Sequence, residues 1–496
     1  MRASGVLLPI SSLPSRYGIG SFSKSGYEFV DFLAAAGQKY WQILPLGPTG
    51  YGDSPYQSFS TFAGNPYFID LDTLISNHLL TESECESYDF GDNKRYIDYE
   101  KLYNSRFKVL KLAYERSSIK DNPEFGEFLS ENEYWIEDYA LYMAVKNSLG
   151  GISWCQWPED IRLRQPEALK EYKIKLAKEI EFYQYIQYEF IKQWRALKAY
   201  ANNKGIRIIG DIPIYVAYDS ADSWANRQLF QFDEEGNPLQ VAGCPPDSYS
   251  ATGQLWGNPL YKWEYHKETS YAWWIRRIEH CFRLYDVVRV DHFRGFDEYY
   301  SIPAGNDTAE FGTWMPGPGY DIFEKMEKQL GKMDIIAEDL GYLTSSVLEL
   351  VAKTGYPGMK IIEFAFDSSG ESEYLPYHYN PNCVVYTGTH DNQTLVSWYQ
   401  ELAPEDKWVA DNYVNIQRTD GKEYWDFIRL AHGSVAGLVV IPMQDYLGLS
   451  DEARMNYPST LGGNWVWRLL DDEITEELVL QIRQMTKMYG RQFVSL

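Results

Sequence analysis

The chain has 496 residues, of which 45% are hydrophobic and 23% charged, values typical of a folded globular protein rather than a disordered chain. Its formal net charge of −24 argues against nucleic acid or anionic lipid as a partner, and a neutral ligand fits better. No stretch reaches the roughly 18–20 apolar residues that span a bilayer, and the first apolar run is broken by Pro9. With five scattered cysteines and no CxxC spacing, these features predict a cytoplasmic protein that contacts neither nucleic acid nor membrane.

Aromatic residues are abundant, with 16 Trp, 41 Tyr and 23 Phe. Many of them lie in polar or Gly/Pro-rich stretches, where a core position is less expected. Tyr and Trp combine a flat apolar face with a polar group, which suits stacking against the apolar faces of sugars. We expect most of these side chains to lie in the core and a minority to line a binding cleft.

Eight short apolar runs recur along the chain, and several are separated by amphipathic helical patterns that end in Gly. Strands that alternate with helices predict βαβ units and a parallel sheet, and eight of them predict a (β/α)8 TIM barrel in the α/β class. The predicted strands are residues 5–10, 40–46, 206–216, 286–293, 334–341, 359–366, 383–391 and 438–446.

Two long insertions interrupt this barrel, which we expect to form a single catalytic domain over residues 1–496. The first, residues 47–205, lies between the second and third strands and reads as mainly helical. The second, residues 217–280, contains the Gly/Pro-rich loop 241–261. Because loops of this length in a compact domain usually serve as lids or binding walls, we expect 241–261 to have such a role.

Acidic residues lie at the predicted carboxyl ends of the third to the seventh strand, the barrel face that carries catalytic groups. A buried ion pair would explain one such acid, since Arg289 and Asp291 point to the same side of a strand. It does not explain acids at the ends of five strands. The acids are Asp211, Asp291, Glu338 with Asp339, Glu363, and Asp391, which follows His390.

A ring of carboxylates around a neutral ligand indicates either a divalent metal site or glycosidic chemistry. The metal site is the lesser interpretation, because the seven histidines have no metal-ligand spacing and no calcium loop is present. Motifs for a serine nucleophile or a nucleotide cofactor are also absent, so we expect no cofactor and no metal. Retaining cleavage needs two carboxyl groups about 5–5.5 Å apart, which Asp291 and Glu338 on adjacent strand ends can provide.

Neighbouring residues suggest how the roles divide. Arg289 favours the ionised carboxylate that a nucleophile at Asp291 requires. Glu338 follows the apolar residues IIA, where desolvation favours the protonated form that can protonate a leaving oxygen. Asp391 and His390 can form hydrogen bonds to sugar hydroxyls near the reacting carbon.

Six motifs and two N-terminal tracts together resemble glycoside hydrolase family 77, the 4-α-glucanotransferases called amylomaltase or disproportionating enzyme. The similarity runs from about residue 4 to residue 468. The motifs are GDIPIYVA (210–217), VAGCPPDSYSATGQLWGNPLY (241–261), RVDHFRGF (289–296), IIAEDLG (335–341), TGTHDN (387–392) and NYPSTLGGNWVWR (456–468); the tracts are SGVLLPISSLPSRYGIGSFS (4–23) and SPYQSFSTFAGNPYFIDL (54–71).

The resemblance implies a barrel of the α-amylase superfamily with long insertions and without the C-terminal β-sandwich domain of typical amylases. It implies Asp291 as nucleophile, Glu338 as general acid/base and Asp391 as transition-state stabiliser. The substrate-binding residues that it implies are Arg289, which orients the nucleophile, His390 and Tyr56 at the donor sugar, Trp256 on the acceptor side, Asp211 and Asn464.

The activity implied is transfer of an α-1,4-glucan segment to the 4-hydroxyl of an acceptor. The implied partners are maltooligosaccharides, starch or glycogen-derived α-glucans, and glucose as an acceptor. A retaining α-glucan hydrolase would use the same three acids and stays open as an alternative. A glucan-binding protein without activity is a third alternative, which predicts the loss of at least one acid, whereas all three are present.

Overall fold

The computed structural model describes residues 2–50, 52–246, 250–341, 343–368, 370, 372–418 and 420–492, and twelve strands lie within these ranges. In chain order they are β1 (Ala3–Leu7), β2 (Tyr40–Gln42), β3 (Arg207–Pro213), β4 (Gln240–Cys244), β5 (Gln254–Pro259), β6 (Val287–Asp291), β7 (Glu298–Pro303), β8 (Thr313–Pro316), β9 (Ile335–Ala337), β10 (Gly358–Ile361), β11 (Cys383–Tyr386) and β12 (Leu438–Pro442).

The same ranges contain nineteen α-helices, and none of them is long and apolar enough to cross a membrane. They are α1 (Lys24–Ala35), α2 (Leu71–Ser76), α3 (Glu82–Glu86), α4 (Tyr99–Arg116), α5 (Pro123–Glu131), α6 (Glu133–Ser148), α7 (Glu159–Arg162), α8 (Pro166–Lys175), α9 (Ala177–Asn203), α10 (Ala221–Ala225), α11 (Trp263–Glu268), α12 (Ala272–Leu284), α13 (Tyr320–Leu330), α14 (Ser345–Thr354), α15 (Leu395–Glu401), α16 (Pro404–Val414), α17 (Tyr424–Gly433), α18 (Met443–Leu447) and α19 (Glu476–Met488).

Eight parallel strands form the barrel, in the order β10-β11-β12-β1-β2-β3-β6-β9. The two ends of this order meet where the Ala337 amide donates to the Pro357 carbonyl at 2.9 Å and the Met359 amide donates to Asp339 Oδ1 at 2.7 Å. The predicted (β/α)8 barrel is therefore confirmed, and each predicted run contains or overlaps one barrel strand. Several runs extend beyond their strands because their last residues form the loops at the carboxyl face.

The register of the central strands sets the positions of the acids along the barrel axis. Asp211 on β3 lies opposite Arg289 on β6, and Pro213 lies opposite Asp291. On the other side of β6, Val290 pairs with Ala337 at the end of β9, and the Glu338 amide donates to the Val290 carbonyl at 3.1 Å. Asp291 and Glu338 therefore lie side by side where their strands end.

Helices α2 to α9 form most of the segment between β2 and β3. The longest, α9, turns an aromatic face inward, with Phe190 and Trp194 fully buried. Trp194 also donates from its indole Nε1 to the Leu284 carbonyl at 3.0 Å, which fixes α9 against the chain that leads into β6. The insertion is thus attached to the barrel through α9.

A second sheet, which the sequence pattern did not predict, is antiparallel with the order β5-β4-β7-β8. Strands β4 and β5 occupy parts of segment 241–261, which we expected to be a loop, and residues 247–249 of that segment lie outside the described residues. The described residues that follow β12 contain helices α18 and α19 and no further strand.

Candidate active site

A buried arginine links two of the acids at the carboxyl face. Arg289 Nη1 donates to both carboxylate oxygens of Asp211, at 2.8 and 2.6 Å, and its Nη2 donates to Asp291 Oδ1 at 3.0 Å. The Asp211 side chain is fully buried, whereas 29% of the Asp291 side chain is exposed to the cleft. Burial acts to lower the pKa of Arg289, but the charges of Asp211 and Asp291 raise this pKa above its usual value. Asp291 thus has a permanent counter-ion and one carboxylate oxygen left for a ligand.

Glu338 lies beside Asp291 but in a different environment. Its two carboxyl oxygens accept hydrogen bonds from backbone amides, Oε2 from His292 at 2.7 Å and Oε1 from Leu340 at 2.8 Å. Burial, together with the nearby charge of Asp291, raises the pKa of Glu338 to about 7. One carboxyl group paired with arginine therefore stands next to a second carboxyl group that holds its proton near neutral pH.

His292 connects these two acids through its backbone. Strand alternation predicts that its side chain points away from Asp291, but His292 has a φ of 55° in the left-handed region, where β6 ends. This turn aims its amide at Glu338. Strain of this kind persists in a non-glycine residue only where the surroundings impose it, and it clusters at functional sites.

Asp391 and His390 follow β11, which is separated from β9 in the closed barrel by β10. His390 Nε2 lies 3.3 Å from Asp391 Oδ2. Burial acts to raise the pKa of Asp391, but the charge and hydrogen bond of His390, with smaller contributions from Asn456 and Arg289, lower it to about 2. Burial likewise opposes protonation of His390, yet Asp391 raises the His390 pKa overall. Asp391 is thus held in its ionised form at neutral pH.

Tyr56 contacts both Asp211 and His390. Its hydroxyl donates to Asp211 Oδ2 at 2.9 Å, and its ring stacks on His390 with centroids 5.1 Å apart and an interplanar angle of 18°. Trp465, whose indole lies 5.8 Å from each of these rings, packs behind them. The side chains that the sequence singled out separately, Tyr56, Asp211 and His390, thus form one contiguous wall.

Two residues that sequence reasoning did not single out also contact Asp391. Asn456 Nδ2 donates to Asp391 Oδ1 at 2.6 Å, and Arg454 Nη2 donates to the Asp391 backbone carbonyl at 2.7 Å. Asn456 belongs to the NYPST stretch, which was noted only as a motif. Nothing in its local pattern links it to the loop that carries Asp391, 65 residues earlier.

Two other singled-out residues, Trp256 and Asn464, contact neighbours of these acids. Trp256 on β5 packs edge-on against His292, with ring centroids 4.8 Å apart. The Asn464 amide is engaged within its own loop, accepting from the Tyr457 amide at 2.9 Å and donating to Thr460 Oγ1 at 3.0 Å. Asn464 therefore shapes the loop that carries Asn456.

Glu363, which the sequence placed at the end of the sixth barrel strand, has a buried side chain. Burial, followed by the charges of Asp445 and Asp451, raises its pKa well above the ordinary value. A Cβ at Gly388 would lie 2.6 Å from Glu363 Oε1, so the glycine of TGTHD makes room for this carboxyl group. The described ranges contain no cluster of three or more His, Cys, Asp or Glu residues arranged to hold a metal ion.

This arrangement has the parts of a retaining glycosidic displacement. It offers a carboxylate backed by arginine, an adjacent carboxyl group protonated near pH 7, and a further carboxylate. A barrel whose carboxyl face carries this set belongs to the class of enzymes that break and form glycosidic bonds.

Comparison with known proteins specifies the family. The model of glycoside hydrolase family 77, described as 4-alpha-glucanotransferase, matches residues 8–473. A 4-alpha-glucanotransferase of Clostridium butyricum is 50% identical over 484 residues, covering 97% of this chain and 99% of the relative. One of Thermus thermophilus is 46% identical over 501 residues, covering 99% of each chain. The chain therefore belongs to the 4-alpha-glucanotransferases of glycoside hydrolase family 77.

Solved structures agree with this assignment. An amylomaltase of Streptococcus agalactiae, solved in complex with acarbose, superposes with a TM-score of 0.97 at 42% identity and covers 99% of this chain and 100% of that one. An amylomaltase of Corynebacterium glutamicum shares the fold, with a TM-score of 0.77 at 20% identity, and covers 99% of this chain and 74% of that one.

Proposed function

We propose that this protein is a 4-α-glucanotransferase that moves a segment of an α-1,4-glucan onto the 4-hydroxyl of an acceptor sugar, with retention of configuration. The observation that carries the proposal is the pairing of Asp291 with Glu338 in unlike environments. Arg289 neutralises one acid, and burial keeps the proton on the other. Membership of family 77 supports the choice of α-glucans as substrate.

In the first half-reaction, an Asp291 carboxylate oxygen attacks the anomeric carbon of the donor. The bond from this carbon to the bridging oxygen breaks, and that oxygen takes the proton of Glu338, so the reducing-side fragment leaves as a neutral alcohol. The donor segment remains attached to Asp291 as an ester of inverted configuration. Asp391 and His390 act on the donor sugar, where a carboxylate stabilises the positive charge that develops at the anomeric carbon.

In the second half-reaction, the Glu338 carboxylate removes the proton from the 4-hydroxyl of an incoming sugar. That oxygen attacks the anomeric carbon, the ester bond to Asp291 breaks, and the α-linkage forms again. Two inversions give net retention, and Glu338 regains its proton. In this proposal Tyr56, which stacks on His390, packs under the donor sugar, and Trp256, which contacts His292, binds the acceptor.

The proposed donors are maltooligosaccharides and starch or glycogen-derived α-glucans, and glucose is a proposed acceptor. The test is to incubate the purified protein with maltotriose alone, without added metal, and to follow both the oligosaccharide ladder and the total reducing ends. Transfer gives glucose and longer oligomers at constant reducing ends. A rise in reducing ends without longer products would instead identify a hydrolase, and an unchanged sample would contradict the activity.

A further inference from the structure

Asp391 is held at three atoms by three different residues. His390 Nε2 faces Oδ2 at 3.3 Å, Asn456 Nδ2 donates to Oδ1 at 2.6 Å, and Arg454 Nη2 donates to the backbone carbonyl at 2.7 Å. The carboxylate therefore has a defined rotation even though 45% of its side chain is exposed to the cleft. An exposed carboxylate without such partners would sample several rotamers.

Arg454 fixes the separation between Asp391 and Asn456. Its Nε donates to the Asn456 carbonyl at 2.9 Å while Nη2 holds the Asp391 carbonyl, so one planar guanidinium spans both backbones. Nη1 lies 3.4 Å from Asp451 Oδ2, and the guanidinium carbon lies 4.4 Å from the centre of the Tyr457 ring. These contacts fix the orientation of the Arg454 guanidinium.

The loop that carries Asn456 is closed by its own contacts. The Trp465 amide donates to the Met455 carbonyl at 2.6 Å across its base, and Asn464 Oδ1 accepts from the Tyr457 amide at 2.9 Å. Thr460 joins the tip to this frame, since its hydroxyl accepts from Asn464 at 3.0 Å and donates to the Tyr457 carbonyl at 2.7 Å. Asn456 therefore presents its amide from a preformed support.

We propose that Asn456 is a positioning residue for glycosyl transfer, which fixes the rotation of Asp391 so that its carboxylate faces the anomeric carbon. This inference rests on the stabilising role proposed for Asp391. A carboxylate only accepts hydrogen bonds, so the residue that holds Oδ1 must be a donor. A neutral amide meets this need without adding a cation that would oppose the positive charge of the transition state.

The test compares kcat, KM and pH profiles for maltotriose disproportionation in Asn456→Ala, Asn456→Asp and Thr460→Ala. In Asn456→Ala the donor is lost, and we expect kcat to fall about 10- to 100-fold with KM little changed. Thr460→Ala is the matched control, because it loosens the same loop without removing a contact to Asp391. We expect it to keep the wild-type pH profile and a kcat close to that of the wild type.

Asn456→Asp separates positioning from general loop structure. At neutral pH the introduced carboxylate repels Asp391, and activity falls further than in Asn456→Ala. As the pH decreases, the two carboxyl groups share a proton, and the introduced group can donate to Asp391 as the amide did. The pH optimum of this variant should therefore move to lower pH. The charged and titratable groups that face Asp391 are His390, Arg289, Tyr56 and Arg454, with Asp451 behind the last.

Three outcomes would overturn the proposal: an unchanged kcat in Asn456→Ala, a rise in KM alone, which would make Asn456 a sugar ligand, or a wild-type pH optimum in Asn456→Asp. If Asn456→Ala proved poorly folded, Asn456→Asp measured at two pH values would still give the answer. Failure of the proposed function itself is distinguishable, because the wild-type protein would then form no longer oligosaccharides from maltotriose.

Discussion

Asp291 and Asp391 both lie at the carboxyl face of the barrel, but they are held in different ways. Asp291 ends a barrel strand, and its partner Arg289 lies two residues earlier on that strand, itself pinned by the buried Asp211. Asp391 lies in a loop after β11, and its partner Asn456 comes from another loop 65 residues later. The first acid is supported by the barrel core, and the second by a contact between loops.

This difference predicts that variants near the two acids differ in how they affect folding stability and turnover. Changes around Asp291 disturb a buried ion pair inside the barrel, so they should affect both folding and turnover. Changes around Asp391 alter partly buried contacts between loops outside the barrel strands, so they should affect turnover while the barrel stays intact. The following variants test that division, beginning with the largest expected effect.

Replacement of the proposed nucleophile should have the largest effect on rate. Asp291→Asn keeps the size of the side chain and its contact with Arg289 but removes the attacking carboxylate, so kcat should fall by about 10⁴-fold or more. Turnover of maltotriose and thermal unfolding would be measured on the same preparation. Activity close to wild type in a folded Asp291→Asn variant would refute the nucleophile assignment.

Glu338→Gln should lower kcat/KM for maltotriose by about 10²- to 10⁴-fold, because the leaving oxygen can no longer be protonated. In the wild type, burial and the charge of Asp291 raise the pKa of Glu338 to about 7. Since the protonated form is needed, kcat/KM should decline as the pH rises through about 7, and this decline should vanish in the variant. A glycosyl fluoride donor is the control: because fluoride leaves without a proton, the variant should release a first equivalent of fluoride at close to the wild-type rate.

Arg289→Met tests the barrel side of the comparison. It leaves the fully buried Asp211 without its counter-ion, which should lower the free energy of unfolding by about 3–5 kcal/mol. Urea unfolding of this variant would be compared with Arg289→Lys, which keeps the charge but loses the double contact to Asp211. If Arg289→Met were as stable as Asn456→Ala, the proposed difference between the barrel support of Asp291 and the loop support of Asp391 would be wrong.

Tyr56→Phe should have the smallest effect of this series. It removes one hydrogen bond to Asp211 but keeps the ring that stacks on His390, so activity should fall only about tenfold and stability should change little. Tyr56→Ala, which also removes the ring, is the comparison. Equal losses in the two variants would mean that the hydroxyl, and not the stacking surface, carries the contribution of Tyr56.

Much of the fold was readable from the sequence because the barrel strands are buried on both faces and appear as continuous apolar runs. The antiparallel sheet was missed for the converse reason. Its strand β8, Thr313–Pro316, is mostly exposed. Strand β5 contains a glycine and a proline, and its sequence therefore resembles that of a loop. Such strands are specified by pairing with distant partners, which a local pattern does not reveal.

In the site, too, contacts between residues close in the sequence were predictable, and contacts between distant residues were not. The contact between Arg289 and Asp291 followed from strand alternation, since the two residues are two positions apart. The turn at His292 did not, because a left-handed residue ends the alternation. The contact of Asn456 with Asp391 joins two loops, and no spacing rule connects residues so far apart in the chain.

The pairing of β1 with β12 has a consequence for how the protein is made. Ala3 lies beside Leu438 in the barrel, so one edge of β1 has no partner until the ribosome has released residues up to about Pro442. An unpaired strand edge is a template for association with another chain, and it is exposed here for most of translation. The yield of the folded enzyme is therefore expected to depend on protection of this edge during synthesis, before the finished barrel contributes any stability.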